Sequence, residues 1–517
     1  MAATPLKPTI SLWALLPEAL RRRGHRDVVI SGLTQDSRAV VPGCLFLALR
    51  GLRSDGRGFI PQAIAGGCAA VIAEARDFAT LYPADGTVVR AVQRAGIPLV
   101  LVDDLDRELS AIAARYYGEP GAALTLFGVT GTNGKTTCAS LIAQLTSLLD
   151  GDCGLIGTLG QGVASRGQLT LTETGMTTPD AVSLQAILAD LRNRGIASAA
   201  MEVSSHSLSQ HRVEAAGIDC AIFTNLSRDH LDYHGDEASY GAAKARLFAL
   251  PGVRIAIVNG DDPFGAGLLD NLPPHLEGYS YGFGDTADIR ATDLQLSATG
   301  MSFNLSSPWG CGTVNSGLLG QFNALNLLAA VAALCASGAE LREVLAAVPS
   351  LTPVPGRMEV VDGGHGPRVV IDYAHTPDAL EKALVSLGAH CGGDLWCVFG
   401  CGGDRDAGKR PLMAAVAERG ADHLVITSDN PRSEAPEAII ADIVAGLDHP
   451  HRVLVLADRR AAIVAAVTRA AVGDTVLIAG KGHENYQQLG AEKLPFSDRD
   501  EAALALAMRA CATGDQL

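Results

Sequence analysis

The run Val129-Thr130-Gly131-Thr132-Asn133-Gly134-Lys135-Thr136-Thr137 constrains this chain more than any other segment. An apolar, β-prone stretch, Leu124-Thr125-Leu126-Phe127-Gly128-Val129, precedes it. A helical pattern with Leu141, Ile142, Leu145 and Leu148 on one side follows. Strand, glycine-containing loop and helix form the arrangement that cradles phosphates. Glycines let backbone N–H groups approach an anion, and the helix N-terminus adds partial positive charge. In such a loop Lys135 reaches the β/γ-phosphates and the Thr136 hydroxyl holds a magnesium ion. The segment departs from the strict pattern G-x-x-x-x-G-K-[ST], because Val129 stands at its first glycine. The competing reading is a glycine-rich turn with an incidental lysine; the flanking strand and helix favour a nucleotide phosphate site.

A chain of 517 residues has room for about three domains at ~150 residues each. Strands alternate with helical patterns along most of it, which gives an α/β fold class. The net charge of −15 argues against nucleic acid or an anionic membrane as a partner, so anionic ligands must be held by local basic and backbone groups. The 11 cysteines include no C-x-x-C pair, as expected of inert thiols in a reducing cytoplasm. The N-terminal apolar stretch 12–16 is broken by Pro17 and makes a poor signal peptide. The apolar run 327–336 is too short to span a bilayer. A cytoplasmic monomer is expected.

Gly and Pro in Tyr116-Tyr117-Gly118-Glu119-Pro120-Gly121 and in Leu351-Thr352-Pro353-Val354-Pro355-Gly356 mark two boundaries. They divide the chain into a small N-terminal α/β domain (1–118), a central P-loop-type ATPase domain with a mainly parallel sheet (119–351), and a C-terminal domain (352–517). The central segment carries strand candidates at 197–203, 220–225 and 254–259 and a long apolar helix at 323–337. The last segment alternates strands at 369–373, 395–399, 424–427, 453–456 and 475–479 with helices, a Rossmann-like doubly wound pattern. In such sheets ligands bind outside the carboxyl ends of the strands. Two facing sheets of nucleotide-binding type suggest an enzyme that joins two bound reactants by domain closure.

Several polar residues follow predicted strands. Glu202, in Met201-Glu202-Val203-Ser204-Ser205-His206, could hold Mg²⁺ alongside Thr136; alone it is a strand-end surface glutamate. The run Thr224-Asn225-Leu226-Ser227-Arg228-Asp229-His230-Leu231-Asp232 makes His230 a candidate second metal ligand, although solvated loops are often as polar. Lys244 in its helical stretch reads as a solvated lysine, and Asn323-Ala324-Leu325-Asn326 as a helix N-cap. Three clusters, Gly400-Cys401-Gly402-Gly403-Asp404-Arg405-Asp406, Ser428-Asp429-Asn430-Pro431-Arg432 and Gly480-Lys481-Gly482-His483-Glu484, each follow a strand of the last domain. One would be a turn. Three at the same sheet edge would form a pocket of both charge signs, suited to an amino acid.

Together with Pro355-Gly356-Arg357 and Asp372-Tyr373-Ala374-His375, these motifs resemble, in number and order, the Mur ligases of bacterial cell-wall synthesis. The resemblance runs from about residue 36 to 498, and is strongest to the members that add the third residue of the stem peptide. It implies that ATP phosphorylates the D-Glu γ-carboxylate of UDP-N-acetylmuramoyl-L-Ala-D-Glu and that an amino acid's amine attacks the acyl phosphate. It also implies two Mg²⁺ ions. Thr136 and Glu202 would serve one, His230 the other, and Lys244 would react with CO₂ to give a metal-binding carbamate. ATP would lie on residues 131–137 and on Asn323, Asn326, Arg357, Asp372 and His375. The UDP-sugar would be met by Ser37, Arg53, Ser54, Thr177, Thr178, Ser204, Gln210 and Arg212. One departure stands here, since Met176-Thr177-Thr178 replaces the family's common Asn-Thr-Thr. The amino acid would be met by Arg405, Asp429, Asn430, Pro431, Arg432, Gly480 and Glu484. The Asp429-Asn430-Pro431-Arg432 version is the one associated with meso-diaminopimelate, whose distal carboxylate an arginine fork can pair bidentately. L-lysine addition, a folylpolyglutamate-synthase-like ligase and a nucleotide-dependent switch are the competing readings. A switch needs no amino-acid pocket, and the chain has no N-K-x-D base-reading motif.

Overall fold

Short apolar, β-branched runs become the strands of three helix-covered sheets in the computed structural model, which describes residues 9–21, 26–51, 54–297, 299–361 and 366–513. The first sheet is parallel, in the order Gly32–Thr34, Cys44–Ala48, Ala70–Glu74, Leu99–Val102. Its two middle strands are buried along their whole length. This is why they read as unbroken apolar runs rather than as alternations.

The second sheet has 11 strands. Thr125–Thr130, which leads into the phosphate loop, lies near its middle between Ser198–Glu202 and Cys220–Phe223, parallel to both. Helices Lys135–Leu149 and Gln321–Ala336 cover one face, packing Leu141, Ile142 and Leu145 against Leu327, Leu328 and Val331. Each such side chain contributes about 1.5–3 kcal/mol on burial. The apolar run 327–336 is thus interior packing of a globular core, and among the described residues no helix is long and apolar enough to cross a membrane. Helix Ala181–Asn193 covers the other face. Both sheet edges are antiparallel: a meander at Cys153–Gly157, Gly160–Ser165 and Gln168–Thr172, and another at Ile289–Ser297, Gly300–Ser307 and Gly310–Ser316. The sequence reading did not find these edges. Apart from the buried Cys153–Gly157, they carry many polar and glycine residues and are partly exposed, so the apolar signal that marks a central strand is missing.

The third sheet runs Glu359–Val361, Arg368–Asp372, Thr475–Ala479, Leu395–Phe399, His423–Ile426, Leu454–Val455, parallel except at the first pair. The five strands expected from sequence in this segment are all present, and the three-domain α/β class is the one observed. The insertion of the last long strand beside the first puts three strand ends, and the loops after them, next to one another.

Candidate active site

The phosphate loop is held in a shape only glycine allows. Gly131 and Gly134 have φ of 147° and 86°. A Cβ on them would stand 1.8 Å from Thr224 Oγ1 and 2.5 Å from Asn326 Oδ1. The end of the neighbouring strand clips the loop in place. Asn225 Oδ1 accepts from Asn133 N (3.0 Å), while Asn225 Nδ2 (3.1 Å) and Thr224 Oγ1 (2.5 Å) donate to the Asn133 carbonyl. Thr132, Thr136 and Thr137 are buried around this turn. Lys135 Nζ donates to the carbonyls of Gly131 (2.9 Å) and Thr132 (2.8 Å). Burial lowers the pKa of this lysine, opposed by the charges of Glu202 and Asp229.

Glu202 ends its strand with a buried side chain, not a surface one. Its carboxylate accepts from Thr158 N (2.7 Å) and Thr158 Oγ1 (3.1 Å), and it passes so close to Gly157 that a Cβ there would lie 2.3 Å from Oε1. Thr158, which aims the carboxylate, went unrecognised in the sequence because it follows an edge-meander strand. His230 adopts a left-handed φ of 54°. Its Nε2 is 3.4 Å from Asp229 Oδ2, and its ring stands edge-on to His206 at 4.9 Å. Its side chain is 48% exposed; partial desolvation lowers its pKa, and the Asp229 charge resists that shift.

Lys244 is the largest departure from a residue-by-residue reading. It is 1% exposed, donates from Nζ to the Gly131 carbonyl at 2.7 Å, and lies 4.3 Å from the centre of the Tyr240 ring. Burial, and then the nearby Lys135 charge, push its pKa well below that of an ordinary lysine. Such an environment favours the neutral, nucleophilic amine. No three His, Cys, Asp or Glu side chains among the described residues form a protein-only metal cage. A buried carboxylate and a hydroxyl beside a phosphate loop suit magnesium, which takes few protein ligands and shares the rest with phosphate oxygens and water.

Segments flanking the third sheet, the turn before Glu359–Val361 and helix Pro377–His390, meet this loop directly. Arg357 lies 4.3 Å over the Tyr373 ring and its Nη2 is 3.4 Å from Thr136 Oγ1. Asn133 Nδ2 donates to Asp378 Oδ2 at 3.0 Å. Asp372 accepts from Met358 N and Ala374 N, both at 2.8 Å, and burial raises its pKa against the pull of Arg357. His375, its ring nitrogen 2.8 Å from the Tyr373 carbonyl, is pushed down to about 4 by burial and by Lys409. Asn323 and Asn326 do not cap their helix. The N-cap of their helix is Gly320, and both side chains are buried. Asn323 donates to Leu319 O (2.7 Å) and Asn326 donates to Asn323 Oδ1 (2.9 Å). Asn326, held by Asn323, braces the loop at Gly134.

The three strand-end clusters of the third sheet do converge. Asn430 Nδ2 donates to Glu484 Oε2 (2.7 Å), and the fully buried Lys481 donates to Asn430 Oδ1 (3.1 Å) and Glu484 Oε2 (3.0 Å). Lys481 stood in the expected cluster but was not singled out as a site residue. Arg432 is half-buried, with a left-handed φ of 53°. Its backbone is pinned by Gln488 O (3.1 Å) and Gly490 N (2.7 Å), and its Nη1 donates to Gly403 O at 2.7 Å. Asp429 and Pro431 are buried between these groups, Gly480 abuts the Asp429 carboxylate, and Arg405 is exposed beside Asp404. A non-glycine residue held left-handed costs roughly 1–2 kcal/mol, a strain found disproportionately at functional sites.

The remaining candidates form one group near Glu202 and one on the first sheet. Thr178 Oγ1 donates to Glu202 O (2.9 Å), Ser204 N donates to Thr178 Oγ1 (3.1 Å), and Thr177 Oγ1 lies 3.0 Å from Thr158 Oγ1. Arg212 donates to Thr178 O (3.0 Å) and to Gln210 Oε1. Met176 is 43% exposed at the edge of this group. On the first sheet Ser37 Oγ donates to Gln62 Oε1 at 2.9 Å, and Ser54 is exposed. Arg53 lies outside the described residues.

Three family descriptions match in order: Mur ligase family, catalytic domain over residues 29–117; Mur ligase middle domain over 129–334; and Mur ligase, glutamate ligase domain over 356–482. The chain is 49% identical, over 96% of its length and 98% of the relative's, to the UDP-N-acetylmuramoyl-L-alanyl-D-glutamate–2,6-diaminopimelate ligase of Pseudomonas aeruginosa. To the protein of the same name in Coxiella burnetii it is 46% identical, over 93% of this chain and 96% of the other. A solved structure of a UDP-N-acetylmuramoyl-L-alanyl-D-glutamate–2,6-diaminopimelate ligase matches with TM-score 0.69 at 38% identity, covering 97% of this chain and 99% of that one. Likeness of this depth over almost the whole length, on a structure that brings a phosphate loop together with converging polar strand-end loops, leads to one assignment: the chain belongs to the Mur ligase family.

Proposed function

We propose that this protein is an ATP-dependent ligase that joins an amine of meso-diaminopimelate to the D-Glu γ-carboxylate of UDP-N-acetylmuramoyl-L-Ala-D-Glu, in cytoplasmic peptidoglycan precursor synthesis. The observation that carries the reading is the contact between the phosphate loop and the third sheet, through Asn133–Asp378 and Arg357–Thr136. In this reading the nucleotide lies beside strand-end loops that carry groups of both charge signs. Relatives that match nearly end to end carry the corresponding name.

A carboxylate resists attack by an amine until one of its oxygens becomes a good leaving group. A γ-carboxylate oxygen therefore attacks the γ-phosphorus of ATP and ADP departs. The amine lone pair then adds to the carbonyl carbon, and the tetrahedral intermediate expels phosphate as the amide forms. Lys135 and the loop N–H groups stabilise charge on the transferring phosphoryl group, and Arg357 reaches the same region from the third domain. Contacts between the domains exclude water, which would otherwise hydrolyse the acyl phosphate. Thr136, Glu202 and His230 would hold Mg²⁺, which when bound with the nucleotide neutralises phosphate charge. The lowered pKa of Lys244 leaves its amine free to add to CO₂, with loss of a proton, giving a carbamate that turns a buried neutral amine into an anionic ligand.

In this reading the domain at 1–118 and the Thr177, Thr178, Ser204, Gln210 and Arg212 group hold the UDP-sugar. Asp372, His375 and Arg357 flank the nucleotide. Arg432 pairs the distal carboxylate of diaminopimelate, with Asn430 and Glu484 at its ammonium. The test is ATP-dependent phosphate release with all substrates and with each omitted in turn. Release that persists without the UDP-dipeptide or without the amino acid would remove the ligase reading.

A further inference from the structure

The loops 428–432 and 480–484 leave strands His423–Ile426 and Thr475–Ala479, which are not neighbours, because Leu395–Phe399 lies between them. No ladder bond joins the two halves of the pocket directly; they are spaced through Leu395–Phe399, which pairs with both strands. A buried side chain bridges the two strand ends as well. Arg459, the first residue of helix Arg459–Arg469, donates from Nη1 to Ser428 O at 3.2 Å and from Nη2 to Ala479 O at 3.0 Å. These carbonyls belong to the residues immediately before Asp429 and Gly480. The other edge of the same guanidinium is gripped by Asp498, with Nε to Oδ1 and Nη2 to Oδ2 both at 2.7 Å. Both side chains are wholly buried.

Stability is a weak reason for such a pair. Desolvation of two charges largely cancels their attraction, and apolar replacements of similar volume are often as stable. What an apolar side chain cannot supply is a rigid planar fork with donors at fixed separations. Here the fork spans the end of an intervening strand and holds two carbonyls at once. Across the pocket floor the loops are joined by Asn430–Glu484, Lys481–Asn430 and Lys481–Glu484 contacts of 2.7–3.1 Å, which persist only while the strand ends keep their spacing. A shift of about 1 Å in a positioning contact can cost ~100-fold in rate.

We propose that Arg459, oriented by Asp498, is a positioning residue that sets the spacing of the 428–432 and 480–484 loops and thereby governs recognition of the incoming amino acid, without touching it. The proposal rests on the assignment of that pocket to the amino-acid substrate. The test compares full-length wild type, R459K and D498E by KM for diaminopimelate, ATP and the UDP-dipeptide, with circular dichroism and thermal melting on each. R459K keeps the charge but loses the fork; D498E keeps both oxygens but moves the fork. The expected result is a folded variant whose diaminopimelate KM rises about tenfold to 100-fold, with the other two KM values changed by less than about twofold. An unchanged diaminopimelate KM, or an equal rise in all three, overturns the proposal. If neither variant folds, the pair is a folding element and the proposal is overturned likewise. Wild type that uses L-lysine instead refutes the substrate assignment alone, and the variants are then scored on the KM for lysine.

Discussion

Replacing Gly134 by alanine tests the phosphate loop at its tightest point. The residue has φ 86°, a left-handed backbone that costs an L side chain roughly 1–2 kcal/mol. The added Cβ would also stand 2.5 Å from Asn326 Oδ1, so that the amide must retreat by about 0.5 Å in a close-packed interior. It is not free to do so. Asn326 donates to Asn323 Oδ1 at 2.9 Å and accepts from Cys138 Sγ at 3.4 Å, and disturbing a buried polar contact of this kind costs about 1–3 kcal/mol. Strain and clash together give ~2–5 kcal/mol, a large share of the 5–15 kcal/mol that holds a typical native protein together. The assay is a double-mutant cycle on urea unfolding, with wild type, G134A, N326A and G134A/N326A. Removing the amide removes the clash but not the strain. The double variant should therefore cost about 1–3 kcal/mol less than the two single costs combined. The ATP KM of G134A should rise. Strictly additive costs, or a G134A protein as stable as wild type, would refute the argument that Asn326 supports the loop by contact.

R432A should raise the diaminopimelate KM by about tenfold to 100-fold, since a charge-assisted fork contributes ~1.5–3 kcal/mol; an unchanged KM removes Arg432 from the pocket. K244A should lose roughly 100-fold or more in kcat, as ligand-supporting residues at metal sites do, with partial rescue by added small carboxylates. Full activity in that variant would make Lys244 a packing residue. Stability should fall on acidification through a defined window. His375 and His483 are each pushed from the ordinary 6.5 to about 4, chiefly by burial. The unfolded chain therefore binds their protons first, and stability is full above about pH 6.5 and is lost as pH falls toward 4. H483N should flatten part of that slope in thermal melts across pH 4–8. A wild-type Tm that is level from pH 7 to pH 4 would contradict the buried neutral state of these rings.

The loop at 131–137 was legible because glycine, lysine and threonine at fixed offsets, between an apolar run and an amphipathic helix, have few other uses. The central strands of the third sheet, Leu395–Phe399 and Thr475–Ala479, were legible for a similar reason, being buried along their whole length and mostly apolar. Lys244 was legible only through family resemblance. Its burial depends on Tyr240 and on the Gly131 carbonyl, which lies 113 residues away, and helical periodicity carries no trace of that. Asn323 and Asn326 look in sequence like a polar helix start. Only the packing of two helices shows that their amides face each other and the loop. Arg459 and Asp498 are 39 residues apart and surrounded by unremarkable helix-forming sequence. Their function comes from strand order, which local patterns do not encode. Thr158 escaped notice because it sits on a glycine-rich edge meander.

The central claim is that the third domain selects an amino acid with a distal carboxylate for coupling to an ATP-activated γ-carboxylate. It is tested most directly by giving the enzyme ATP, Mg²⁺, UDP-N-acetylmuramoyl-L-Ala-D-Glu and equimolar meso-diaminopimelate and L-lysine, then weighing the UDP-linked product by mass spectrometry. The account predicts the diaminopimelate adduct in large excess, formed with one ADP and one phosphate per amide. A product carrying lysine, or ATP consumption with no amide product, would contradict it.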